Sequence, residues 1–216
     1  MNDWIVFSDE HLLVVNKPAG ILSQKDSAAA KDIVWYLKKT PEFSTTTFLA
    51  PVHRLDRNTS GLLVLAKNSA AAAILTKAIA TKKMKRIYTA LVKGDPGVEG
   101  KISLTLSKDE DRNFVAVDEE GKEAVTVFRR IRSFPTMTLL SVELLSGRSH
   151  QIRVHLAHLG HEVIGDQKYG KKPWNTLIKR PALHASKIHM QHPITKKDLK
   201  FAIPLPEDIQ LLVNKL

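Results

Sequence analysis

Residues 53–67 read His53-Arg54-Leu55-Asp56-Arg57-Asn58-Thr59-Ser60-Gly61-Leu62-Leu63-Val64-Leu65-Ala66-Lys67. Leu62 to Ala66 is an unbroken apolar run. Alternation would mark a strand with one wet face, so an unbroken run predicts a strand buried on both faces. The residues before it are polar and charged, a loop feeding a rigid strand, which is where side chains for chemistry are commonly placed. Asp56 stands between Arg54 and Arg57, and neighbouring positive charge would hold its carboxylate ionised. On charge alone a solvated ion-pair loop is the better reading. Ser60 is a poor nucleophile, because Asn58 occupies the place of the first glycine of a nucleophile elbow.

Upstream, Trp4–Phe7 and Leu12–Val15 are short β-rich runs around the polar turn 8–11, and Asn16–Gly20 breaks into a loop. Ser27 is placed to cap a helix reaching about Lys39, with Ile33, Val34 and Leu37 inward. Downstream, Ser69 opens an alanine-rich helix to about Lys83, with Ile74, Leu75, Ala78 and Ile79 on one face. Strands are expected at Tyr88–Val92, Lys101–Leu106, Ala124–Ile131, Thr138–Leu145, Leu183–Met190 and Leu199–Ile203. An exposed loop is expected at 109–113. A helix is expected from near Ser149 to a stop at Gly160, and a short one after Pro206. Adjacent strands with few helices predict an α+β fold with a largely antiparallel sheet. No repeat or low-complexity linker interrupts the chain, which predicts one domain over 1–216.

The chain has 216 residues and 43% hydrophobic content, which excludes a disordered or collagen-like protein. No apolar run approaches the roughly 20 residues that span a bilayer, and the start lacks a signal-peptide pattern. Absence of cysteine removes disulfides and thiolate zinc sites and fits a reducing cytoplasm. Lys and Arg outnumber Asp and Glu by 33 to 22, for a net charge of +11. That surplus reads either as an indifferent basic surface or as one made for a polyanion. A membrane surface fits less well, since no long basic amphipathic helix is present.

Two more clusters carry candidate chemistry. In Lys85-Arg86-Ile87-Tyr88-Thr89-Ala90, Tyr88 shares a strand face with Arg86, an aromatic beside a cation of the kind that stacks on a base; taken alone, a core tyrosine is the better reading. In residues 147–161, Ile152, Leu156 and Leu159 form a helical core stripe, while His150, Arg153 and Ala157 lie on another face, so Arg153 can point into a site. The histidines here lack the spacing of a zinc helix, and no metal is expected. Residues 94–101 fail as a phosphate loop, and no dinucleotide fingerprint occurs, so no nucleotide cofactor has a seat.

Together these clusters resemble the RluA family of pseudouridine synthases, which modify ribosomal and transfer RNA. The resemblance covers Asn16–Gly20, His53–Lys67, Arg86–Tyr88, Gly147–Leu156, Gly165-Asp166-Gln167-Lys168-Tyr169-Gly170, Leu183–Ala185 and His192-Pro193. It implies a mixed, mostly antiparallel sheet flanked by a few helices and loops, with Asp56 as catalytic aspartate, Tyr88 as active-site tyrosine and Arg153 as the arginine that pairs with the aspartate. Arg54 resembles the residue that enters the RNA stack as the target uridine leaves it. His53, Arg57, Arg86, Arg148 and His150 join it as candidate RNA contacts. The resemblance implies no metal or organic cofactor, and RNA (ribosomal or transfer) as partner. Some relatives carry a small N-terminal RNA-binding module; here the catalytic pattern begins within the first twenty residues, so a stand-alone catalytic domain is expected. Monomer is the default state, and the cytoplasm is the location that fits the absence of cysteine. A non-catalytic RNA-binding or RNA-folding protein on the same scaffold is the alternative.

Overall fold

The computed structural model describes residues 2–25 and 30–216, so Ser27 lies outside the described residues. In chain order the strands are β1 (Ile5–Ser8), β2 (Leu12–Lys17), β3 (Ala50–Pro51), β4 (Ser60–Ala66), β5 (Lys85–Lys93) and β6 (Glu99–Asp109). They continue with β7 (Phe114–Val117), β8 (Lys122–Ser133), β9 (Met137–Leu144), β10 (Leu183–Gln191) and β11 (Asp198–Ala202). The helices are α1 (Ile33–Leu37), α2 (Ser69–Ala80), α3 (Gln151–His158) and α4 (Glu207–Asn214). Every pairing whose register is resolved between strands is antiparallel, giving the α+β architecture expected from the sequence. No helix among the described residues is long and apolar enough to cross a membrane.

The chain packs as two compact units, Met1–Lys85 with Ala185–Pro204, and Arg86–His184 with Leu205–Leu216. The chain crosses between them at the start of β5, inside β10 and between Pro204 and Leu205; the first two crossings carry no Pro- or Gly-rich segment, and the third lies between two prolines, Pro204 and Pro206.

In the first unit β2 pairs with β1 and with β4, from Leu12 opposite Ala66 to Lys17 opposite Gly61. The β1–β2 turn closes because the Asp9 Oδ1 accepts the N–H groups of His11 and Leu12, each at 2.8 Å. β4 is buried along its whole length, as its apolar run predicts, and sits between β2 and β10. Leu12, Val14, Leu62, Val64, Leu75, Met84, Ile188 and Met190 form this unit's core. Burying a side chain of this size stabilises by about 1.5–3 kcal/mol.

Helix α2 begins at Ser69, as expected, with Asn68 as its cap, accepting the Ala71 N–H at 2.9 Å. It ends at Ala80 rather than near Lys83, with Lys82 in the left-handed region. Ala71 and Leu75 face the core while Ile74 is exposed, so the buried stripe is narrower than the apolar pattern implied. Helix α1 is also shorter than expected: Asp32 caps it by accepting the Trp35 N–H at 2.9 Å.

Gly61 has φ +119, and a Cβ there would lie 2.4 Å from the Ala185 carbonyl oxygen on β10. Both the conformation and the backbone approach demand glycine. Gly61→Ala is therefore expected to cost about 3 kcal/mol or more in urea unfolding. An unchanged midpoint would show that β10 does not approach so closely.

The second unit orders its strands β5-β9-β8-β6-β7. α4 lays Ile209 and Val213 against Leu91, Met137, Leu139 and Ile164. Val154 of α3 packs with Leu106, Val115 and Ala124. The four-residue strand β7 was not anticipated. Leu159, expected in the core stripe of α3, is exposed, because the helix ends at His158 and Gly160 (φ +80) turns the chain away.

Candidate active site

In the first unit the loop carrying Asp56 is held at three successive carbonyls. The Leu55 oxygen accepts the Ser23 hydroxyl at 2.8 Å, and the Leu55 N–H donates to the same hydroxyl oxygen at 2.9 Å. The Asp56 oxygen accepts the Thr59 N–H at 3.0 Å. The Arg57 oxygen accepts the Gly20 N–H at 2.8 Å and the Lys17 ammonium at 3.2 Å. Lys17, fully buried, also donates to the carbonyls of Pro18 (2.9 Å) and Ile21 (2.8 Å). Arg57 returns a bond from Nε to the Gly20 oxygen at 3.0 Å. The result is a half-buried carboxylate on a backbone with little freedom, flanked by two exposed guanidinium groups, those of Arg54 and Arg57. His53 is buried, and its Nε2 accepts the Val64 N–H at 3.2 Å, which puts the ring proton on Nδ1.

In the second unit Arg86 and Tyr88 occupy one buried face of β5. Arg86 Nη2 reaches the Ser146 carbonyl at 3.4 Å, and a Cβ on Gly147 would stand 3.1 Å from its Nη1, so Gly147 leaves room for the guanidinium. The following turn is pinned by Gln151. Its Oε1 accepts the Ser146 hydroxyl (2.8 Å) and the Arg148 N–H (3.0 Å), and its amide donates to the Val125 carbonyl and the Thr126 hydroxyl, each at 3.0 Å. All four hydrogen-bonding positions of this buried amide are filled. Arg148 itself is exposed and donates from Nε to the Glu123 carbonyl at 3.1 Å.

Arg153 is buried. Its guanidinium grips Asp166 through Nε (2.6 Å) and Nη2 (2.8 Å) and lies 5.0 Å from the Tyr169 ring centroid. Asp166 also accepts the N–H groups of Lys168 (2.9 Å) and Tyr169 (3.1 Å). Burial alone would raise the Asp166 carboxyl; the bond and charge of Arg153 and the two N–H donors outweigh it and hold it below the ordinary carboxylate value. The Tyr169 hydroxyl accepts the Val115 N–H (2.9 Å) and meets His150 Nδ1 at 2.7 Å. The histidines go separate ways. His155 is buried and held neutral, its pKa lowered to about 4 by burial and then by the charge of His158. His161 Nδ1 lies 2.9 Å from the Lys93 carbonyl.

Sequence reasoning thus located the loop of Asp56, the strand of Tyr88 and the helix of Arg153, the first in one unit and the other two in the second. It assigned no role to Ser23, Lys17, Gln151, Asp166 or Tyr169. The Gly165–Gly170 run does carry a readable signal, an Asp whose side chain can cap the two amides that follow it. Its partner thirteen positions earlier leaves no local trace.

The chain matches a family model described as RNA pseudouridylate synthase over residues 11–158. It is 37% identical to ribosomal large subunit pseudouridine synthase D of Zymomonas mobilis, over 98% of this chain and 72% of that protein. It is likewise 37% identical to ribosomal large subunit pseudouridine synthase C of Buchnera aphidicola, over 98% of this chain and 70% of the relative. Among solved structures, human RNA pseudouridylate synthase domain containing 4 superposes with a TM-score of 0.81 at 21% identity, covering 98% of this chain and 92% of that one. That likeness speaks for the fold.

Proposed function

Since the chain belongs to the RluA-type RNA pseudouridylate synthases, isomerases of uridine in RNA, we propose that it converts uridines of large-subunit ribosomal RNA to pseudouridine with Asp56 as its essential carboxylate. The reaction breaks the bond between uracil N1 and the sugar, turns the base, and joins carbon 5 to the sugar. Carbon 5 loses a proton and N1 gains one, so neither an oxidant nor an external group enters the balance. A carboxylate can serve by adding to the sugar or the ring, or by taking a sugar proton. The observation that carries the reading is the Asp56 loop, whose carbonyls at 55, 56 and 57 are each anchored. A charged group fixed this way is ready for a reaction that punishes misplacement of about 1 Å by a hundredfold.

Tyr88 is the proposed participant in proton removal at carbon 5, and Arg153 the fixed cation of the reaction. Lifting the target uridine out of its stack costs a few kcal/mol, offset by stacking and phosphate contacts. Arg54, Arg57, Arg148 and the half-buried His150 are the candidates exposed enough to supply them; the buried His53 and Arg86 serve by fixing the backbone that carries the others. The acid-free stretch from 57 to 94, with Lys67, Lys77, Lys82, Lys83 and Lys85, adds phosphate affinity. The choice of large-subunit RNA follows the names of the relatives.

The test is tritium release from carbon 5 of uridine-labelled transcripts of large-subunit, small-subunit and transfer RNA. Release is expected from the large-subunit transcript, with affinity falling by roughly 0.7 log units per log unit of salt for each phosphate met on single strands. Release from transfer RNA alone would move the substrate. Salt-sensitive binding with no release from any RNA would make this an RNA-binding protein and not a synthase.

A further inference from the structure

The anchors of the Asp56 loop are of different kinds. Two of them, the N–H groups of Gly20 and Thr59, belong to the backbone and survive any side-chain change. Lys17 spreads its ammonium over the Pro18, Ile21 and Arg57 carbonyls, so it holds a whole stretch of chain. Ser23 is more selective. Its hydroxyl, on a residue 3% exposed, donates to the Leu55 carbonyl at 2.8 Å and accepts the Leu55 N–H at 2.9 Å. A hydroxyl that does both toward one residue replaces a rung of strand pairing at a place where no strand runs. The Leu55 carbonyl belongs to the peptide group that leads directly into Asp56. The Leu55 side chain is 5% exposed, so water is poorly placed to take over either bond.

We propose that Ser23 is a positioning residue for Asp56, setting turnover by fixing the peptide plane between Leu55 and Asp56; this rests on the reading of Asp56 as the essential carboxylate. The plainer account is that Ser23 merely satisfies two buried backbone groups. On that account its loss lowers stability and leaves the rate of every folded molecule untouched. On the positioning account folded molecules turn over more slowly, with RNA bound as before.

The experiment measures tritium release under steady state for Ser23→Ala, Ser23→Thr and Ser23→Cys, beside Asp56→Asn, at a temperature where circular dichroism shows each fully folded. Ser23→Ala is expected to lower kcat about tenfold or more, with KM for RNA within about twofold, and Ser23→Thr, which keeps the hydroxyl, to recover most of the loss. If Ser23→Ala does not fold, Ser23→Cys carries the test, since its thiol is a weak donor of similar size; a loss of about threefold or more is expected. An inactive Asp56→Asn beside an unchanged kcat in the folded Ser23 variants would overturn the positioning role alone, as would a loss confined to KM. Full activity in Asp56→Asn would overturn the reading of Asp56 itself, and the role of Ser23 with it.

Discussion

Replacing Asp56 by asparagine is expected to leave RNA binding at its parental strength and to lower turnover by at least about a thousandfold. The substitution keeps the shape of the side chain and removes its charge, its basicity and its capacity to form a covalent adduct. The loop should not move. The anchors at Leu55, Asp56 and Arg57 are made by backbone atoms with Ser23, Thr59, Gly20 and Lys17, and none depends on the carboxylate. Binding should persist because the exposed cations Arg54 and Arg57 remain and the loss of one negative charge opposes nothing on a phosphate chain. Filter binding and tritium release measured on one preparation separate the two effects. Turnover within about tenfold of the parent would remove Asp56 from the chemistry, because a positioned base or nucleophile contributes more than that.

What the sequence disclosed and what it hid divide along a physical line. The apolar run at 62–66 required burial on both faces, and β4 has it, because no other environment suits five consecutive apolar side chains on a strand. The stop of α3 was legible at Gly160, whose positive φ is a local property. The four-residue β7 was not legible, since Phe114–Val117 is too short for its alternation to stand out beside a polar loop. Nor was the burial of His53, whose polar ring looks like a surface group until Val64 is found donating to it eleven positions along the chain. The site divides the same way. The loop of Asp56, the strand of Tyr88 and the helix of Arg153 were readable from pattern. The roles expected of these three residues came from the family resemblance and not from their residue types, which alone favoured an ion-pair loop and a core tyrosine. The hydroxyl of Ser23 and the carboxylate of Asp166 work through partners far off in sequence, at Leu55 and Arg153, and distance in sequence erases the pattern.

That hidden layer yields the other large expected effect. Asp166→Asn should destabilise the protein by about 3–5 kcal/mol, because it removes one member of a buried, bidentate ion pair with Arg153. The acid limb of stability identifies the mechanism. Asp166 has a folded-state value below its ordinary 3.8, so its contribution is fully present above that value and is lost as pH falls through the lower, folded one. The parent should therefore lose stability below about pH 4 more steeply than Asp166→Asn, whose amide does not titrate there. Activity offers a second handle. The double variant Arg153→Met with Asp166→Leu removes both charges and fills the space with apolar atoms, which commonly restores stability. If Arg153 is a cation of the reaction, that protein folds and does not turn over. If Asp166→Asn unfolds at the parental midpoint with the parental acid limb, the ion pair contributes nothing; a double variant with full activity would leave Arg153 a packing residue and the catalytic set without its cation.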